Sequence, residues 1–380
     1  MAFPLALIPF TALILVLSTL PHHWEMRPGS FATLSIIAWL AIHNLIDGIK
    51  AVLWAKTAES LGLAANIWCD IATKIMLGCS IGLPGCCLCI ARRLYRITSG
   101  NDVGERKLND WIIDIWLCWG MPFLVMALHI IVQSHRFDIL EPFGCQPTIY
   151  FSWPALVIIT LPVTICGCVS AIYSTGTFYA LCKRHRSVRM RIAYHSTLSV
   201  GRKGNGVNLP RRAMHFATFI RLLIANLLVG TVTAGFIITS MFIDLDSNQG
   251  GEMLVWDNWA DVHYGFGAIY SFDLAEYRGI ELAELWLFWA CWPIGSTIFF
   301  LIFGLGKDIR REWRERMQRL IAWFHRRSSS TQTKAGVASV EAGEQEQSTV
   351  QDSVFDPEWD EVIIIGPQSP AEMLGQASAV

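Results

Sequence analysis

Seven apolar runs constrain this chain more than any other feature. They cover roughly residues 3–20, 31–54, 66–90, 111–133, 153–181, 216–242 and 280–305. About 20 apolar residues carry a helix across a hydrocarbon core. Inside that core the backbone must satisfy its own hydrogen bonds, so such runs fold as helices. Only 16% of the 380 residues are charged and 53% are hydrophobic, where a soluble domain is about a quarter charged. The pattern predicts an all-α integral membrane protein, a bundle of seven transmembrane helices. The first run has no basic segment ahead of it and no clear small-residue cleavage site, so it reads as a retained helix. The halves show no repeat, which gives an inverted-repeat transporter no support.

Lys and Arg in the connections set the orientation. With the N-terminus outside and the C-terminus cytoplasmic, 24 basic residues fall on the inner side and three, Lys56, Arg136 and Arg278, on the outer. Net charge is −1, so nothing in the overall balance points to nucleic acid. Most of the eleven cysteines lie inside apolar runs, where cysteine acts as a small hydrophobe. No cofactor or metal is expected.

Charged residues inside spans are costly, and they face a bundle interior or a wet cavity in pairs. The second span carries His43, Asn44, Asp47 and Lys50, and the third carries Asp70 and Lys74. At 1.5 Å per residue, matched depth predicts Lys50 with Asp70 and Asp47 with Lys74. The network either fixes helix register or also lines the outer half of a ligand cavity. A membrane hydrolase would bring several His and Asp to one depth. Only His43 and Asp47 qualify, with His129 alone in the fourth span, so no enzyme is expected. Prolines at 84, 122, 162 and 293 each remove a backbone bond and invite a kink.

Cys69 and Cys145 both fall on the outer side, where an oxidising compartment permits a disulfide between them. Residues 243–279 hold seven acidic residues against one Arg. With its interleaved aromatics this stretch is either a simple cover or an acidic, aromatic lip for a cationic or apolar ligand, centred on Trp256, Asp257, Trp259 and Asp261. On the inner side Arg92, Arg93 and Arg96, the third-loop residues Lys183, Arg184, Arg186, Arg189 and Arg191, and Arg221 are expected to form one basic rim. Such a rim holds topology, binds anionic headgroups or docks an acidic partner. Residues 306–327 place apolar residues at helical spacing among eight basic ones, an amphipathic helix on the membrane surface. Residues 328–380 have nine acidic residues and one Lys and read as a disordered tail. Ser328, Ser329, Ser330 and Thr331 open it and are candidate phosphorylation sites. Residues 1–305 form the seven-span domain.

Four stretches carry a resemblance: NLIDGIKAVLW (44–54), NIWCDIATKI (66–75), GLPGCCLCIARRLYRI (82–97) and RFDILEPFGCQPTIYFSWP (136–154). Together they resemble the fungal a-factor-type mating pheromone receptors, the basidiomycete receptors for lipidated peptides in class D of the G-protein-coupled receptors. The likeness runs over residues 1–305. It implies a multi-pass plasma-membrane receptor for a farnesylated peptide pheromone, acting through a heterotrimeric G protein and a MAP-kinase cascade. Arg92, Arg93, Arg96 and the third-loop residues then form the G-protein face. A seven-helix transporter or channel, using the charged residues of spans two and three as a path, is the alternative class.

Overall fold

In the computed structural model, residues 2–25, 31–100, 108–198 and 254–304 are described, with residues 224, 314 and 318 in isolation. The chain divides into two compact units, residues 1–314 and 315–380. Every element below belongs to the first. The expected boundaries at 305 and 327, the run at 216–242 apart from residue 224, Arg221 and Ser328 to Thr331 all lie outside the described residues.

The other six runs are helices. They are α1 (Ala2–Glu25), α2 (Phe31–Leu53), α3 (Leu63–Ser99), α4 (Leu108–Val132), α5 (Trp153 to Leu198) and α6 (Ile280–Phe303). Among the described residues, five helices are long and apolar enough to cross a membrane. The apolar part of α1, Leu5–Pro21, is shorter.

Helix α3 is the axis of the bundle. Of its most apolar window 72% is buried, against 61% for α2, 28% for α4 and α6, and 22% for α5. Small residues explain its central place. A Cβ on Gly82 would collide with the Trp39 indole of α2, and one on Gly85 would collide with the Leu117 carbonyl of α4. Cys79, Cys86, Cys87 and Cys89 fill the same tight interface, buried in the core with Trp39 and Cys118. Glycine and cysteine therefore let α2 and α4 approach closely. The helix is also longer than its apolar run. Helix formers continue through its basic end until Gly100, whose left-handed φ of 81° lets its N–H reach the carbonyls of Arg96 and Ile97. Its 37 residues span roughly 55 Å, well beyond a hydrocarbon core of about 30 Å.

The prolines act in a more specific way than a kink. Pro122 has no N–H for the carbonyl of Cys118, four residues earlier. The helix widens there into a π turn, Trp116–Gly120, and the Trp39 Nε1–H donates to the Cys118 carbonyl oxygen at 2.9 Å. Pro162 likewise follows a π turn, Leu156–Thr160. A neighbouring helix thus takes over one bond that a proline deletes, as membrane helices commonly require.

The all-α expectation needs one correction. A three-stranded sheet, β1 (Phe137–Leu140), β2 (Gly144–Gln146) and β3 (Ile269–Phe272), lies in the order β2-β1-β3. Strands β1 and β2 pair antiparallel with Ile139 opposite Cys145, and β1 and β3 run parallel. Each strand is too short for its alternation to be read reliably from sequence. Phe137 and Ile139 turn inward and pack with Trp54, Cys69 and Cys145.

Candidate functional site: two polar layers along the α2–α3 axis

The first layer lies on α2. His43, Asn44, Asp47 and Lys50 are each at most 2% exposed. Lys50 Nζ is 3.0 Å from Asp47 Oδ1, and His43 Nδ1 is 3.0 Å from Asp47 Oδ2. The Lys50 ammonium also donates to the Cys145 carbonyl at 3.5 Å and rests against the Met76 sulfur at 3.1 Å. Asn44 Nδ2 donates to Ser296 Oγ of α6 and to the Leu40 carbonyl, both at 2.7 Å. The His43 ring stacks on Trp292 with centroids 3.6 Å apart. The His43–Asp47 pair is close but not aligned as a hydrogen bond, and among the described residues His43 Nε2 and Asn44 Oδ1 have no hydrogen-bond partner.

The second layer joins α3 to α4 and the sheet. The Lys74 ammonium donates to His129 Nδ1 at 2.6 Å and to Gln133 Oε1 at 2.7 Å. His129 Nδ1 is then the acceptor, so Nε2 carries the proton and donates to the Thr148 carbonyl at 3.0 Å. The Arg136 guanidinium grips Asp70 in a fork, Nε to Oδ1 at 2.8 Å and Nη2 to Oδ2 at 2.5 Å. Gln133 Nε2 donates to the Arg136 carbonyl at 2.7 Å and so ties the two contacts together. At the foot of β1, His135 Nε2 lies 2.6 Å from Asp138 Oδ1. Burial pushes the Asp138 carboxyl above its ordinary range, and the His135 bond opposes that shift.

Both expected cross-helix pairs are therefore replaced. Lys50 pairs with Asp47 of its own helix, and Asp70 and Lys74 look to Arg136 and to His129 with Gln133. Depth counting places charges along the membrane normal but says nothing of rotation about the helix axis. An Asp three residues from a Lys on one helix is within reach without any neighbouring helix. His129 also has partners. His129 and Gln133, four residues apart across a closing 3-10 turn, both reach the Lys74 ammonium.

Cys69 of α3 and Cys145 of β2 are joined by a disulfide, with Cα atoms 5.6 Å apart. It clips the sheet to the same end of α3 that carries Asp70 and Lys74. Beside the sheet is a cleft of about 350 Å³, walled by Glu59, Glu141, Asp273 and Glu276 with Lys56. The four expected lip residues do not line it. Trp256 instead donates from Nε1 to the Ile131 carbonyl at 3.2 Å. Trp259 opens a one-turn helix, Trp259–Val262, and Asp261 is held by Asn258. Asp257 is exposed.

At the opposite end of α3 the basic rim is not free. Arg92 Nη2 donates to Asp114 Oδ1 at 2.9 Å. Arg96 Nη1 meets Asp110 Oδ1 at 2.5 Å, and Arg92 Nη1 lies 3.5 Å from the same oxygen. Two arginines four residues apart on α3 thus face two aspartates four residues apart on the antiparallel α4. The expectation of a rim counted only basic residues and missed Asp110 and Asp114. Lys183 is exposed on α5. Arg184, Arg186, Arg189 and Arg191 continue the same helix, and their side chains lie outside the described set.

Cys86 and Cys89 have the two-residue spacing of some metal and redox pairs. They lie buried in mid-helix, with Cys118 Sγ 3.8 Å from Cys89 Sγ. Among the described residues no group of three or more His, Cys, Asp or Glu could hold a metal ion. Packing accounts for them.

Residues 5–322 match the family described as STE3, Pheromone A receptor. The chain is 32% identical over 298 residues to the Pheromone B beta 1 receptor of Schizophyllum commune, covering 78% of this chain and 51% of that protein. It is 29% identical over 320 residues to Pheromone receptor 1 of Mycosarcoma maydis, covering 82% of this chain and 84% of that one. Against the Pheromone a factor receptor of Saccharomyces cerevisiae it is 26% identical over 311 residues, 81% and 60% of the two chains. The matched region spans about half the length of the Schizophyllum relative. With a family match over most of its length and helices apolar enough to cross a bilayer, this membrane protein belongs to the STE3 pheromone receptor family.

Proposed function

We propose that the chain is a plasma-membrane receptor for a mating pheromone, that its ligand is a farnesylated peptide, and that it activates a heterotrimeric G protein feeding a MAP-kinase cascade. The observation that carries this reading is the family match over residues 5–322. In this reading the bundle has seven spans, with 216–242 as the sixth, the N-terminus outside and the C-terminus in the cytoplasm. The excess of Lys and Arg in the connections on one side supports that orientation. The α2–α3 polar layers then lie in the outer half, where His43, Asn44, Asp47, Lys50, Asp70 and Lys74 border the ligand cavity. Arg92, Arg93 and Arg96 lie at the cytoplasmic end with Lys183, Arg184, Arg186, Arg189, Arg191 and Arg221, and form the face toward the G protein. The pairing of Arg92 and Arg96 with Asp110 and Asp114 means that docking an acidic surface there exchanges one set of carboxylates for another. Residues 306–327 lie on the inner membrane surface. Residues 328–380 form a cytoplasmic tail, open to phosphorylation at Ser328, Ser329, Ser330 and Thr331.

The test is nucleotide exchange by a purified heterotrimeric G protein, with the receptor in nanodiscs and a panel of synthetic peptides, each with and without the farnesyl group. Stimulation by one or a few farnesylated peptides, and none by their unmodified forms, is the expected result. Stimulation by unmodified peptides would remove the lipid from the proposal. No exchange with any peptide, together with solute flux in liposomes lacking G protein, would replace the receptor by a transporter.

A further inference from the structure

We infer that the aromatic segment Leu254–Phe266 is a foot resting in the headgroup layer of the bilayer, and that its partner is phospholipid. The argument starts from what fastens it. Helix α4 ends at Val132 and leaves carbonyls without helical donors. Two of these are taken by the segment: Trp256 Nε1 donates to Ile131 O at 3.2 Å, and His263 Nε2 lies 2.8 Å from Ile130 O. Its other end holds the chain just before α5. Leu254 N donates to the Phe151 carbonyl at 3.1 Å, the Tyr150 hydroxyl donates to the Val255 carbonyl at 3.1 Å, and Ser152 and Leu254 form a parallel bridge. The segment therefore sits where two membrane-crossing helices, α4 and α5, meet the edge of the apolar layer.

Those two helices turn most of their surface outward, and they carry exposed apolar side chains, Ile130 and Trp153 among them, at the ends that the segment joins. Phe123, Leu124 and Ile130 on α4 are exposed by 45–54%, and Trp153, Val157 and Leu161 on α5 by 47–70%. The segment adds Val255 at 70%, Trp259 at 51%, Tyr264 at 91% and Phe266 at 36%. A loop standing in water gains nothing from such a set, since each large apolar side chain left exposed forgoes the free energy of burial. At the headgroup level the same residues suit their place, because Trp and Tyr put an apolar ring toward the chains and a polar tip toward water. The segment is amphipathic in the matching sense. Val262 is buried and stays with the protein. Of its two acidic residues, Asp257 is exposed and Asp261 is bonded to Asn258, through Nδ2 and through Oδ1. The aromatic side is held rigid by Trp259 stacked on His263 at 3.8 Å. Both ring nitrogens of His263 face carbonyl oxygens, those of Trp259 and Ile130, so this side chain and Trp256 together hold the foot on α4.

This reading moves Trp256 and Trp259 from a ligand lip to a lipid contact, and depth separates the two. A fluorophore sensitive to its surroundings is attached at Tyr264→Cys, and separately at Trp259→Cys, in the full chain. The exposed Cys168 and Cys182 are replaced by Ser, and Lys56→Cys in the acidic cleft serves as the water-facing control. Each labelled protein, first checked for an intact Cys69–Cys145 bond, is placed in phosphatidylcholine nanodiscs. Quenching is measured with aqueous iodide and with lipids carrying a doxyl group near the headgroup or at mid-chain. The expected result is several-fold stronger quenching by the shallow doxyl lipid than by iodide at 259 and 264, weaker quenching by the mid-chain one, and the reverse order at 56. Iodide dominating at 259 and 264, as at 56, would overturn the foot and restore a water-facing lip. Protection from both quenchers would also overturn it, by placing protein, such as a second copy of the chain, where lipid was inferred.

Discussion

The two ends of α3 are fastened by different physics. At the end that begins near Leu63, a disulfide, a sheet, a buried Lys–Asp pair and the Lys74–His129–Gln133 contacts all converge. At the end that finishes at Ser99, three Arg–Asp contacts reach across to α4, with the Arg92 and Arg96 side chains 17% and 32% exposed and Asp114 buried. Covalent and desolvated links are hard to exchange, whereas partly wet ion pairs, Arg96–Asp110 here and Arg136–Asp70 at the first end, are worth little and are easily traded. In a molecule that responds to a ligand, the first end is suited to be the fixed reference and the second to be the part that changes partners.

Four substitutions probe that contrast, in order of falling effect. Asp47→Ala strands the buried Lys50 ammonium and is expected to destabilise by about 3–5 kcal/mol, seen as loss of folded protein at the cell surface. The double variant Asp47→Leu/Lys50→Met should recover most of the loss, and if it recovers none the pair has a role beyond charge balance. Cys69→Ser or Cys145→Ser is expected to cost about 2–5 kcal/mol, read from thermal unfolding in detergent, with the double Ser variant no worse than either single. Trp39→Phe removes the donor to the Cys118 carbonyl and should cost about 1–3 kcal/mol in the same assay. Arg96→Ala, Asp110→Ala and their double form a cycle whose coupling should be about 0–1 kcal/mol and shrink with added salt. A salt-insensitive coupling of about 3 kcal/mol would make the two ends alike and end the comparison.

Length and hydropathy were enough to place six of the seven runs as helices, because a bilayer leaves an apolar run of that size little choice. Facing was harder. Residue counting along α2 and α3 gave the depth of Asp47, Lys50, Asp70 and Lys74, but the partner of each depends on rotation, which no single helix encodes. Gln133 and Thr148 carry no charge and gave no reason to single them out, yet they complete the Lys74–His129 chain. Arg136 was counted as a loop charge that sets topology, and its grip on Asp70 depends on strands too short to announce themselves. Asp110 and Asp114 could have been found. Their spacing of four residues matches that of Arg92 and Arg96, and both pairs begin or end an apolar run. The membrane foot was half visible, since its aromatics stood out in sequence while the α4 carbonyls that hold it did not.

The bond from Trp39 to the Cys118 carbonyl bears on how the two ends can communicate. It sits at the middle of α4, where Pro122 has broken the ladder. On one side of that break α4 carries His129 and Gln133's anchoring turn, and on the other it carries Asp110 and Asp114. A straight helix would move both sets as one rod. A broken one behaves as two levers sharing a bearing, and here the bearing surface belongs to α2. Tilting Trp39 by a few degrees would swing one lever against the other without stretching any bond within either. A side chain that touches neither the Lys74 contact nor the Arg92 contact thus holds the middle of the helix that joins them.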